Sequence, residues 1–155
     1  MFFYGKDHLT AGKALAILRG ELPAAIHEET EKRIHQAHQD VLAIGAGTEA
    51  VYGINTGFGP LCNTPISKTA INELQRRLLI SHSVGVGDPI DPQIAKLMMI
   101  LKVHAIAQGF SGLSMEVIDR IRWHIEQDIV PVVPEQGSVG ASGDLAPLSH
   151  LFLPL

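Results

Sequence analysis

The chain has 155 residues, enough for one compact domain with a sizeable core rather than two. Hydrophobic residues make up 46% of it and charged residues 18%, a balance that argues against disorder. Twelve Lys and Arg against sixteen Asp and Glu leave a formal charge of −4 with no basic stripe, which argues against a nucleic-acid partner. Cys62 is the single cysteine, so no internal disulfide can form and a reducing, cytoplasmic setting is expected.

Met1 to Tyr4 is apolar, but Lys6, Asp7 and His8 cut that run far short of a secretory h-region. Thr10 then reads as the N-cap of a helix whose face is Ala14, Ile17 and Leu18, closed by Gly20. Pro23 stands where the first turn of a second helix tolerates it. Ile26, Thr30, Ile34, Ala37, Val41 and Ile44 recur at three- and four-residue steps and predict an amphipathic helix over 24–44, stopped by Gly45 and Gly47. From Val51 to Pro65 the glycines and prolines predict an ordered loop.

Ser67 is a candidate cap for a third helix with the face Ile71, Leu74 and Leu78, and Gly85, Gly87 and Pro89 form the next break. Asp91-Pro92 opens a helix to about Gln108 that is apolar almost all round, the mark of a central, buried helix. Its apolar stretch carries Lys96, Lys102 and His104 and is too short to span a bilayer, so no membrane partner is expected. Ser114 caps a fifth helix with Val117, Ile118, Ile121, Ile125 and Ile129, ended by Pro131 and Pro134. Strand-like alternation is nearly absent, so the class is mainly α, with residues 1–155 forming a single domain. Leu148 to Leu155 is apolar except for Ser149 and His150, which reads as a surface awaiting a partner, as in a chain shorter than its native form.

The chemistry concentrates in GSVGASGDLAPLSH, residues 137–150. Three glycines followed by Asp144 and Pro147 describe a tight turn delivered onto a helix, with Asp144 at the N-cap and Pro147 in the first turn. Spacing alone would suggest anion binding at a helix N-terminus. No Lys-Ser or Lys-Thr follows, so this is no Walker loop, and it is not G-x-S-x-G.

These fourteen residues resemble the cofactor-forming segment of the aromatic amino acid ammonia-lyases and aminomutases. YGINTGFG (residues 52–59) and GFSG (109–112) resemble two further pieces of that family in order and spacing, and the resemblance covers essentially the whole chain. It implies that Ala141, Ser142 and Gly143 cyclise unaided to a methylidene-imidazolone, an electrophile no ordinary side chain offers. The residue types suit that chemistry. Gly143 brings a nitrogen to the Ala141 carbonyl with no Cβ in the way, Ser142 loses water to leave a methylene, and Ala141 is small. Gly140 and Asp144 would support the loop.

By the same resemblance Tyr52 is the candidate base for the β-proton, where the bare residues would suggest only a core aromatic beside glycines. A phenol must be brought well below its ordinary range of about 10 to act near neutrality. Asn55, Thr56 and Gly59 would shape the loop around phenol and substrate. Ser81-His82 resembles the pair in histidine-acting members, where phenylalanine-acting ones carry an aromatic-Leu pair and tyrosine-acting ones His-Leu; the alternative is a helix-end His satisfied by backbone. Ser114, Gln108 and Phe152 depart from residues common in relatives.

The remaining histidines suggest no metal. His27, His35 and His38 fall on one predicted helix without an H-E-x-x-H pattern and read as a solvated face, and His104 reads as a satisfied core group. The resemblance thus implies the N-terminal domain of an ammonia-lyase fold, with ordered Gly-rich loops, in a homotetramer of long helices. The expected reaction is non-oxidative elimination of ammonia from histidine to urocanate, with no metal or nucleotide. A tyrosine- or phenylalanine-acting lyase, an aminomutase, or a truncated assembly module are the alternatives.

Overall fold

The structure, a computed structural model, describes residues 1–57, 63, 66, 68–141 and 143–155, with the side chains of 68, 69 and 72 excepted. The expected cap at Ser67, Cys62 and the proline-bearing part of the 51–65 loop lie outside the described residues.

The chain opens with strand β1 (Phe2–Tyr4), helix α1 (Ala11–Leu18), strand β2 (Ala24–Ile26) and helix α2 (Glu28–Ala46). Thr10 caps α1 as expected, its hydroxyl accepting from the Lys13 N–H at 3.3 Å. The segment after Pro23 is not the start of a helix. Ala24, Ala25 and Ile26 pair in parallel with Phe2, Phe3 and Tyr4, and the Pro23 carbonyl accepts from the Phe2 N–H at 2.8 Å. Pro23 would not prevent a helix start, but the buried aromatics of β1 offer the segment after it a partner ladder instead. Helix α2 therefore starts at Glu28, capped by the His27 ring, whose Nδ1 accepts from the Glu29 N–H at 3.2 Å. Tyr4 is buried, and its phenol is pushed up to about 12 by burial, against the opposing charge of Arg122.

Next come α3 (Lys68–His82), strand β3 (Val86–Pro89), α4 (Pro92–Ile106), α5 (Met115–Glu126), strand β4 (Pro134–Gln136) and α6 (Leu145–Phe152). Asp91 caps α4 through its carboxylate to the Gln93 N–H at 2.8 Å, and the Ser114 hydroxyl caps α5 at Val117. Strands β3 and β4 pair antiparallel, Val86 with Gln136 and Pro89 with Pro134, with an irregularity between. Pro134 thus begins a strand, which its ring permits at a strand's first residue. The short strands are the main departure from the all-helical pattern.

Helix α4 is central. Ala95, Met99, Ile100, Val103 and Ile106 are buried against Ile118, Ile121 and Ile125 of α5, with Phe2, Ile17, Ile34 and Leu151 closing the cluster. Its apolar character does not translate into burial all round, however. Ile94 is 53% exposed and Leu101 48%, so one face of α4 is bare here. Its partly buried His104 is satisfied as expected, Nδ1 accepting from the Gly5 N–H at 3.2 Å. The three histidines expected on one solvated face divide. His27 is a cap, His38 is half-buried and donates from Nδ1 to the Gly112 carbonyl at 2.8 Å, and only His35 is exposed, beside Glu31. The GFSG turn joins α4 to α5 and lies against α2 through that bond.

Candidate active site

Helix α3 ends at the Ser81-His82 pair. The Ser81 hydroxyl donates to the Leu78 carbonyl at 3.1 Å, and His82 Nδ1 lies 2.8 Å from the same oxygen. A carbonyl only accepts, so Nδ1 carries a proton; in the Nδ1–H tautomer Nε2 is the acceptor.

Facing this helix end is the loop between β4 and α6. Its backbone turns at Gly137 (φ +124°), Gly140 (φ +68°) and Gly143 (φ +118°). At Gly143 none of the described residues lies within 4 Å of where a Cβ would stand, so among them the requirement for glycine is backbone conformation rather than space. Asp144 occupies the position before α6, yet its side chain makes no cap bond. Its Oδ1 accepts instead from the Ser138 hydroxyl at 2.6 Å, closing the base of the loop. The expected cap is thus replaced by a loop brace, because a hydroxyl within reach competes with the backbone N–H groups.

Ser81 and His82 from α3 and Gly140, Ala141 and Gly143 from the loop line one cavity of about 230 Å³. Ala141 and Gly143 are exposed, and Val139 at the loop's crest is 94% exposed. Ser142 and Gly59 lie outside the described residues. A larger open cleft of about 640 Å³ lies beside Lys96 and Asp128, but these two are paired with each other at 2.7 Å. The smaller cavity is the one that brings together residues of the two segments expected to form the site.

Tyr52 is 63% exposed and does not line that cavity. It stands in a turn over 51–55, where the Val51 carbonyl accepts from the N–H groups of Ile54 and Asn55. Asn55 is buried within this turn. Its Oδ1 accepts from the Val51 N–H at 2.8 Å and its Nδ2 donates to the Glu49 carbonyl at 2.9 Å, so its amide shapes the loop. Thr56 is likewise buried, its hydroxyl on the Gly57 carbonyl at 3.0 Å. Sequence reasoning did not single out Ser138 or His150, although both lie within the fourteen-residue segment.

Residues 9–155 match a family model described as aromatic amino acid lyase. With the helical fold and the site above, the chain belongs to the aromatic amino acid lyase family. Within the family, a histidine ammonia-lyase of Bartonella tribocorum is 45% identical over 132 residues, covering 85% of this chain and 26% of that protein. One from Enterobacter sp. (strain 638) is 42% identical over 145 residues, covering 94% and 29%. The crystal structure of histidine ammonia-lyase from Trypanosoma cruzi superposes with a TM-score of 0.85 at 36% identity, covering 97% of this chain and 29% of that one. The ergothioneine-degrading enzyme ergothionase from Treponema denticola superposes at 0.88 with 25% identity, covering 97% and 30%. The chain spans under a third of the length of these relatives. Among the described residues, no helix is long and apolar enough to cross a membrane.

Proposed function

We propose that this chain is the N-terminal portion of a cytoplasmic ammonia-lyase that eliminates ammonia from L-histidine to give urocanate. The observation that carries this reading is the juxtaposition of His82 with the Ala141–Gly143 loop around one cavity. The similarity to histidine ammonia-lyases over most of the chain supports it.

The described residues fit a group made from Ala141, Ser142 and Gly143. Gly143 holds a conformation that side chains disfavour, no described neighbour crowds it, and the Ser138–Asp144 bond braces the loop. Such a group supplies an electrophilic methylene that turns the substrate's amino group into a better leaving group. The rest is the work of ordinary side chains. His82, held by Leu78, offers Nε2 to the N–H of an imidazole substrate, an interaction that neither Phe nor Leu can make. Tyr52 removes the β-proton, carried on a turn that Asn55 ties together. Gly59, within the 52–59 segment of the sequence, would line the substrate's path.

The open loop and a cavity lining that does not include Tyr52 support a site completed by other parts of a longer chain and by neighbouring subunits of a homotetramer. Steady-state kinetics of the complete protein on histidine, tyrosine and phenylalanine test the reading. The highest kcat/KM is expected for histidine, with urocanate released; a preference for tyrosine or phenylalanine would overturn the substrate assignment.

A further inference from the structure

We infer that His150 is a positioning residue for this site, fixing the α3 end that carries His82 relative to the loop that carries Ala141 and Gly143. The inference rests on the lyase reading above. His150 lies on α6, immediately beyond the loop, and its Nε2 accepts from the Gly85 N–H at 2.9 Å. Gly85 lies three residues after His82, in the turn from α3 into β3. Because Nε2 accepts, the ring is neutral with its proton on Nδ1.

Gly85 is where three segments meet. A Cβ added to it would stand 3.0 Å from His150 Nε2 and 3.0 Å from Pro134 Cβ, so one of these neighbours would have to give way. Gly137, the first residue of the loop, packs onto the same point. A Cβ there would stand 2.9 Å from Gly85 Cα, and its φ of +124° already disfavours a side chain. The turn after His82, the start of the loop and the helix that follows the loop are thus locked at a residue with no side chain, and His150 supplies the polar bond of that lock. Between the two held segments lies the cavity. A shift of about 1 Å between groups that must approach one substrate can reduce turnover on the order of a hundredfold.

A residue that only fills space would be replaced by Phe at little loss, whereas a positioning acceptor would not. Gln can place its oxygen where Nε2 stands, and the shorter Asn cannot. The complete protein is therefore compared with His150→Phe, His150→Gln and His150→Asn by hydrogen–deuterium exchange of peptides containing Gly85 and by kcat and KM on histidine. Exchange at Gly85 should rise at least about tenfold in the Phe and Asn variants, as expected for loss of one hydrogen bond. Turnover should fall by about the same factor or more, mainly in kcat, and Gln should recover both. If Phe does not yield folded protein, Asn against Gln decides the matter alone. Unchanged Gly85 exchange, or raised exchange with unchanged kcat, in a protein whose wild type is active, overturns the positioning role and leaves the lyase reading intact. A wild type that releases ammonia from none of histidine, tyrosine and phenylalanine sinks the lyase reading, and the role of His150 with it, whatever the exchange shows.

Discussion

The hydroxyl of Ser138 donates to Oδ1 of Asp144 at 2.6 Å, across the loop that carries Ala141 and Gly143. This bond gives Asp144 a function other than capping α6, where its side chain makes no bond. Ser138→Ala should therefore leave the helix in place while loosening the loop. Both side chains are exposed, so the loss in stability should be small, about 1 kcal/mol or less. Its visible effect should be slower maturation of the loop, followed by intact mass against time after synthesis. Wild-type maturation kinetics in Ser138→Ala would show that the brace is incidental.

Selectivity rests on Ser81-His82. With Nδ1 engaged by Leu78, the His82 ring keeps one acceptor for substrate. Losing one hydrogen bond between buried partners costs about 1–3 kcal/mol, or roughly tenfold to a hundredfold in binding. Replacing the pair by Phe-Leu in the complete protein should lower kcat/KM for histidine by that range and raise the relative use of phenylalanine. Undiminished histidine turnover would reduce His82 to a helix-end residue.

Much of this arrangement was legible in the sequence, and the reason is local. Thr10, Asp91 and Ser114 each place a short polar side chain immediately before an apolar periodic run, and each caps a helix. The strands were not legible. Three residues such as Ala24–Ile26 are too few to show an alternation, and Ile26 lies in phase with the helix that follows, so the period ran through it. The mainly helical class, the family and the loop were readable because the 137–150 segment is long and specific. What spacing could not show is how segments come together: His82 and Ala141 lining one cavity, His150 on Gly85, and Ser138 drawing Asp144 away from its helix. The bare face of α4 at Ile94 and Leu101 has the same origin, since composition reports hydrophobicity and not what covers it.

Acid should loosen the N-terminal strand. His104 accepts from the Gly5 N–H, and burial, joined by His8 and opposed by Asp7, holds its imidazole below the ordinary value of 6.5. A group whose native value is depressed favours the fold most above its unfolded value. Its contribution is complete above pH 6.5 and is lost as pH falls through the lower native value. His104→Asn keeps an acceptor near the position of Nδ1 without a titration in this range. The melting temperature of the wild type should drop more between pH 7.5 and pH 5 than that of His104→Asn; equal drops would remove His104 from the account.

The 155-residue chain alone should not catalyse. Ala141 and Gly143 are exposed, and Tyr52 does not line the cavity that His82 shares with them. Purified chain incubated with histidine should release no urocanate by ultraviolet absorbance, and sustained release would mean that the site is complete within it.

The central claim is that Ala141, Ser142 and Gly143 become the electrophile of a histidine-acting lyase, and intact mass spectrometry of the complete, active protein tests it most directly. The mass should fall short of the encoded value by two waters, with Ser142→Ala restoring the encoded mass and abolishing urocanate release together. An unmodified mass in fully active protein, or full activity in Ser142→Ala, would contradict the account.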